Sequence, residues 1–169
     1  MSNFTPTTFL KHDDYMTPKY VWEDIKQYIP QDKEIWECFY GDGKSGQYLT
    51  ELGFNVIHEN IDFFENNKGE VLVSNPPFSK TKQIMERLVE IGKPFIMLMS
   101  SSKINTQYCR RIFKDLDDKL QIIIPKARIG FEKQVNGKVP DGWKYNKPNF
   151  DTFYYCWKMN LPRDIVWLD

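Results

Sequence analysis

The chain has 169 residues, 41% hydrophobic and 27% charged, which fits one globular domain with a real core and excludes a disordered or fibrous chain. The three cysteines, Cys38, Cys109 and Cys156, lack metal-ligand or disulfide spacing, so a reducing compartment is expected and no metal site is. There is no apolar signal core and no run of membrane-spanning length, which leads to the expectation of a soluble intracellular protein.

Formal net charge is zero, but the charge is divided along the chain. Residues 1–74 hold 6 lysines, no arginine and 13 acids; residues 75–169 hold 17 Lys+Arg and 10 acids. The two parts therefore carry −7 and +7. Such a division suits an acidic half that holds a cationic small molecule and a basic half that meets phosphates. Chance segregation of solvated charge is the alternative.

Residues 1–11 are polar and Thr-rich and read as a loose arm. Thr17-Pro18 then reads as an N-cap followed by a proline at N1, opening a helix with Val21, Trp22, Ile25, Tyr28 and Ile29 at helical spacing. Pro30 ends it. Glu34 to Phe39 reads as the first strand. Gly41-Asp42-Gly43-Lys44-Ser45-Gly46 follows, and then a helix from about Gln47 to Leu52. Strand, glycine loop and helix in that order suit a nucleoside-bearing ligand, because glycines allow close approach and the helix start offers free N–H groups. The loop is not a P-loop, which needs a glycine further upstream of Gly-Lys-Ser; it does match the Gly-x-Gly-x-x-Gly pattern, a weak signal alone.

Phe54 to Glu59 reads as the second strand and ends in an acid where a ribose-binding carboxylate would stand. Asn60-Ile61-Asp62-Phe63-Phe64 comes at once and leaves little room for a third strand. Val71 to Ser74 reads as a buried strand. It is stopped by Asn75-Pro76-Pro77-Phe78, since neither proline can donate to a ladder. That tetrapeptide sets an amide, two rigid carbonyls and an aromatic ring at the carboxyl end of a strand, where ligands bind in open α/β sheets. A helix from about Lys80 to Ile91, an apolar strand over 94–99, a helix from about Ile104 to Phe113 and a strand over 120–124 follow.

Residues 126–148 carry six Lys+Arg, two acids, three glycines and two prolines, with an Asn136-Gly137 turn that suggests a hairpin. Lys126, Arg128, Lys133, Lys138 and Lys144, with Trp143 interleaved, are candidate nucleic-acid contacts; a solvated loop is the alternative. Residues 151–159 read as the last strand. The expected class is α/β: a mostly parallel central sheet with helices on both faces and an antiparallel C-terminal hairpin strand at its edge.

Taken together, these motifs resemble the S-adenosylmethionine-dependent DNA adenine-N6 methyltransferases, especially the short phage and large-virus type. Asp14-Tyr15-Met16-Thr17-Pro18 is similar to that family's N-terminal Thr-Pro motif, and Glu37-Cys38-Phe39-Tyr40-Gly41-Asp42-Gly43 to its acid-x-Phe-x-Gly-x-Gly loop. Asn75-Pro76-Pro77-Phe78 matches its catalytic motif without substitution. The resemblance implies a class I methyltransferase-like fold in one domain over 1–169, with 126–148 an insertion. It implies S-adenosylmethionine as cofactor, held by Tyr15, Thr17, Pro18, Glu37, Phe39, Gly41, Gly43, Asp62, Phe63 and Asn75. Either Glu59 or Asp62 can face the ribose, so short is the interval between them. Asn75, Pro76, Pro77 and Phe78 are the implied catalytic residues, with Phe78 a face for a flipped adenine.

DNA is the implied partner. There is no room for a separate target-recognition domain, so specificity would come from 126–148 or from a partner protein. Asn-Pro-Pro-aromatic motifs also resemble those of enzymes acting on RNA adenines or on glutamine amides of proteins, which likewise present a planar NH₂. A non-catalytic cofactor-binding subunit is the remaining alternative.

Overall fold

The computed structural model describes residues 15–133 and 150–169. The expected arm over 1–11, the Asn136-Gly137 turn, Lys138, Trp143 and Lys144 lie outside the described residues.

In chain order the elements are β1 (Tyr15–Met16), α1 (Lys19–Glu23), β2 (Glu34–Trp36), α2 (Lys44–Glu51), β3 (Asn55–Ile57), β4 (Val71–Ser74) and α3 (Thr81–Ile91). Then come β5 (Phe95–Ser100), α4 (Gln107–Phe113), β6 (Leu120–Ile124), β7 (Glu132–Lys133), β8 (Thr152–Trp157) and β9 (Ile165–Trp167). Seven strands form one mixed sheet in the order β3-β2-β4-β5-β8-β6-β9. β3, β2, β4 and β5 are mutually parallel, β8 runs antiparallel to both β5 and β6, and β9 is parallel to β6. The carboxyl ends of β2, β3, β4, β5 and β6 therefore share one edge, joined there by the amino end of β8.

The core lies on both faces, as the expected α/β class requires. α1 and α2 bury Val21, Trp22 and Leu49 on one face, against Val71, Val73, Ile96, Leu98, Tyr154 and Cys156. α3 and α4 bury Ile84, Met85, Leu88, Cys109 and Phe113 on the other, against Leu72, Phe95, Met97, Met99, Tyr155 and Trp157. Successive strand residues alternate between the two faces, and both faces are apolar, which is why β4 and β5 read as unbroken apolar runs.

Two local expectations are corrected. The antiparallel strand β8 is not at an edge but between β5 and β6, and Tyr154, Tyr155 and Cys156 are buried on both of its faces. The edge belongs to β9, which follows it. Thr17 does not cap α1: Pro18 holds the cap position without a side-chain bond, and the Thr17 hydroxyl is used elsewhere. Glu132–Lys133 pairs with Tyr15–Met16 in a separate two-stranded ladder. No third strand stands between β3 and β4; a 3-10 turn over Phe63–Glu65 fills that interval. No helix among the described residues is long and apolar enough to cross a membrane.

The glycine loop is fixed by sterics at two positions. Gly43, at φ +82°, turns the chain into α2, and a Cβ there would meet the Tyr40 ring. Gly46 lies inside α2, where a Cβ would fall on the Cβ of His58, just past β3. Gly46→Ala should push α2 off the sheet and destabilise the protein by about 1–3 kcal/mol. That corresponds to a loss of roughly 2–4 °C in Tm for each kcal/mol. A thermal midpoint equal to wild type would show that the helix and β3 do not pack this closely.

Candidate active site

The carboxyl edge of the sheet opens into a cleft of about 400 Å³. It is lined by residues that follow β2 (Glu37, Phe39, Gly41), by those that follow β3 (Ile61, Asp62, Phe63) and by those that follow β4 (Asn75, Pro77, Lys80). Thr17, between β1 and α1, closes one side. Residues from Glu37 to Lys80 thus meet at one place because β2, β3 and β4 are adjacent and parallel.

Glu37 is fully buried. Its Oε1 accepts from the Ser74 hydroxyl and, at 3.4 Å, from the Phe39 N–H. Its Oε2 is buried with no hydrogen-bond partner among the described residues. Burial is the main reason its carboxyl is pushed up to about 8, with the bonds from Ser74 and Phe39 working in the other direction and Asp42 adding to the rise. A lone carboxylate in such a place is costly unless a cation reaches it. Glu37 borders the cleft, although its side chain has no exposed surface.

Asn75 stands at the end of β4, immediately after Ser74. Its Nδ2 donates to Thr17 Oγ1 at 2.9 Å. Thr17 is itself buried. Its segment is tied down by Trp22 Nε1 donating to Ser45 Oγ at 3.1 Å, and by an ion pair between Lys19 and Glu51 at 2.9 Å. Both contacts join α1 to α2, so the N-terminal segment and the glycine loop are fastened to each other as well as to Asn75.

One wall of the cleft is aromatic. Phe39 and Phe63 lie with ring centroids 4.6 Å apart, and Phe64 meets Phe63 edge-on at 5.2 Å. Asp62 caps the 3-10 turn that carries them, with Oδ1 accepting from Phe64 N at 2.8 Å. The wall presents apolar ring surface to the cleft.

Other expected residues are placed differently. Pro18, Gly43, Pro76, Glu59 and Phe78 do not line the cleft. Glu59 is exposed, with its carboxylate 3.5 Å from Lys68 Nζ, so of the two acids it is Asp62 that lines the cleft. Phe78 is half-buried and meets Phe150 and Phe131 edge-on at 5.3 and 6.2 Å. Arg128 makes a two-pronged pair with Asp151 at 2.9 and 3.1 Å, which fastens the base of the 126–148 segment. Lys126 is exposed. Tyr15 and Lys133 pair through their backbones. Among the described residues no group of three or more His, Cys, Asp or Glu could hold a metal.

Sequence reasoning missed Met16, Tyr40, Ser45, Ile61 and Lys80, all of which line the cleft. Met16, Tyr40 and Ile61 are neighbours of motif residues, and adjacency was the available signal. Lys80 had none, because its place depends on the 3-10 turn over Phe78–Lys80 that follows the prolines.

The charge division of the sequence is only partly kept at this edge, where Asp42 pairs with Lys44 at 3.7 Å and Arg128 with Asp151. Acids follow β2 and β3 (Glu37, Asp42, Asp62), and bases follow β4, β5 and β6 (Lys80, Lys103, Lys126, Arg128). Asn75 stands where the sign changes.

No protein-family model matches the chain, and no curated protein is similar to it in sequence. One crystal structure, of a provisionally assigned class I S-adenosylmethionine-dependent methyltransferase from Listeria monocytogenes, superimposes with a TM-score of 0.44 at 12% identity. The match covers 90% of this chain and 64% of that one, so this chain spans less than two thirds of that structure's length. A likeness that distant assigns no role to any residue.

The state of Glu37 is measurable without any ligand. Between about pH 4.5 and about 8 the unfolded chain has lost this proton and the folded chain still holds it. Unfolding then releases a proton, and stability falls as pH rises through that window, by up to several kcal/mol. Denaturant midpoints of the wild type should fall relative to those of Glu37→Gln across the window. Parallel profiles for the two proteins would mean that Glu37 ionises freely.

Proposed function

We propose that the chain is an S-adenosylmethionine-dependent methyltransferase that acts on the N6 amine of adenine in DNA. The observation that carries this reading is the placement of Asn75 on the cleft wall, beside a buried carboxylate and at the change of sign along the sheet edge. The lining suits the cofactor: an aromatic wall at Phe39 and Phe63 for its purine to pack on, Glu37 for a cationic group and Asp62 for hydroxyls. The cleft volume lies in the range of small-molecule sites. The bound cofactor would supply an electrophilic methyl group.

Adenine N6 is a poor nucleophile because its lone pair is delocalised into the ring. Thr17 engages the NH₂ end of the Asn75 amide, so acceptor work falls to Oδ1. Oδ1 and the Pro76 carbonyl would accept the two N6 hydrogens and turn lone-pair density toward the methyl group. N6 would take the methyl as its bond to the cofactor's sulfonium sulfur breaks and leaves a thioether, and would give up one proton to solvent, with no covalent bond to the protein needed. The gain is orientation and fixed dipoles, with Pro76-Pro77 keeping the acceptors rigid. Lys80, Lys103 and Lys126 would meet phosphates. Lys133, Lys138, Trp143 and Lys144 remain candidates from sequence for the same strand. Phe78, packed with Phe131 and Phe150, would offer the target base an aromatic surface.

The test is methyl transfer from labelled S-adenosylmethionine to duplex DNA, single-stranded DNA, RNA and protein pools, followed by nucleoside analysis. The expected product is N6-methyladenine in DNA. Asn75→Ala should lower turnover at least ~100-fold with cofactor affinity little changed. Label only in RNA or in glutamine amides would replace the acceptor. No label despite cofactor binding would favour a non-catalytic subunit.

A further inference from the structure

The stretch from Ile91 to Lys114 holds five bases and no acid. It supplies β5, a 3-10 turn over Ser101–Asn105, and α4. The turn leaves the carboxyl end of β5, one strand over from the end of β4 and Asn75.

This turn is tied down on several sides. Ser101 N donates to the Asp151 carbonyl at 2.8 Å, and the Tyr155 hydroxyl donates to the Ser100 carbonyl at 2.6 Å. Thr106 Oγ1 donates to the Lys103 carbonyl at 2.7 Å. Fixed in this way, the turn leaves Ile104 42% exposed, with half-buried Lys103 before it. An apolar side chain is displayed there instead of buried.

α4 continues the display. Cys109 and Phe113 face the core. Gln107, Arg110 and Arg111, three and four positions apart, are exposed on the opposite face. Among the described residues Lys103, Arg110 and Arg111 make no ion pair. The acids at the two ends of this region are engaged elsewhere: Asp115 pairs with Lys114 at 3.0 Å, and Asp151 with Arg128 at 2.9 Å.

We propose that the 3-10 turn and the outer face of α4 form a docking surface for the DNA strand flanking the target adenine. Lys103, Arg110 and Arg111 would hold its phosphates, and Ile104 would pack on a base or sugar beside the flipped nucleotide. The proposal rests on the DNA reading above and extends it, because Ile104, Arg110 and Arg111 lie outside both the cleft lining and the basic segment. The occupant is argued from charge and apolarity together. Bases without an intervening acid suit a polyanion. An exposed isoleucine among them suits a polyanion that also carries apolar surface, as stacked bases and sugars do.

The test is fluorescence anisotropy of the full chain with a short labelled DNA duplex over a salt series. Cofactor affinity and thermal midpoints serve as controls for folding, and neither should change in any variant. The double variant Arg110→Gln, Arg111→Gln should bind at least ~10-fold more weakly, with the slope of log K against log salt reduced by about 2. Ile104→Ser should weaken binding with the slope unchanged, because an apolar contact releases no counterions. Lys119→Gln removes an exposed base at the amino end of β6, on the opposite edge of the sheet, and should match the wild type. No binding of DNA by the wild type, a double variant with wild-type affinity and slope, or an equal loss in Lys119→Gln would overturn the surface. Methyl transfer to the same DNA separates the two claims. Transfer by an unimpaired double variant would overturn the surface and leave the DNA reading in place. A reduced slope with label found only in protein would support the surface and overturn DNA as the methyl acceptor.

Discussion

The buried carboxylate of Glu37 is the constraint around which the site is arranged. A carboxyl group with no exposure is unfavourable when ionised, and the protein offsets this only in part, through Ser74 and the Phe39 amide. Ser74 ends β4 and Glu37 follows β2, so their bond joins the ends of two neighbouring parallel strands. Asn75 is the next residue, and Thr17 holds it by its amide nitrogen. Glu37, Ser74, Asn75 and Thr17 thus form one connected line from the second strand to the N-terminal segment. Moving any of them moves the acceptor amide relative to the place where a cation would rest. The same line explains why α1, only five residues long, is fastened to α2 by both a hydrogen bond and an ion pair.

The sheet order gives the charge division its meaning. With β3, β2, β4, β5 and β6 all ending at one edge, acids gather over the first two strands and bases over the last three. The antiparallel β8 belongs to this arrangement, since Asp151 at its amino end receives both the Ser101 N–H and Arg128. The base of the basic segment is thereby set beside the ends of β5 and β6, and Phe131 and Phe150 bring its two ends against Phe78.

Much of this was legible in the sequence, and the reasons differ by element. β4 and β6 coincide with their expected spans because each is a short apolar run bounded by loop residues or proline. α3 matches to one residue because its apolar spacing is unambiguous. The position of β8 was not read, although Tyr154-Tyr155-Cys156-Trp157 is apolar without alternation, as suits an interior strand. β9 escaped because three residues with two apolar side chains facing solvent give no inward pattern. At the site, the glycine loop and Asn-Pro-Pro-Phe announced themselves through residue types with few other uses. Thr17 was singled out only through the resemblance of its Thr-Pro motif, because locally a threonine before proline reads as a cap and its partner lies 58 positions away. The choice between Glu59 and Asp62 likewise depended on where a 3-10 turn would point the chain.

The most direct test of this account is the proton balance of cofactor binding. Calorimetric titration with S-adenosylmethionine near neutral pH, in buffers of different ionisation enthalpy, reports protons released per site. The account predicts release of roughly one proton as a cation meets Glu37, and none in Glu37→Gln, whatever affinity it retains. Binding with no buffer dependence in the wild type would contradict it, because Glu37 would then have been ionised, or untouched, all along.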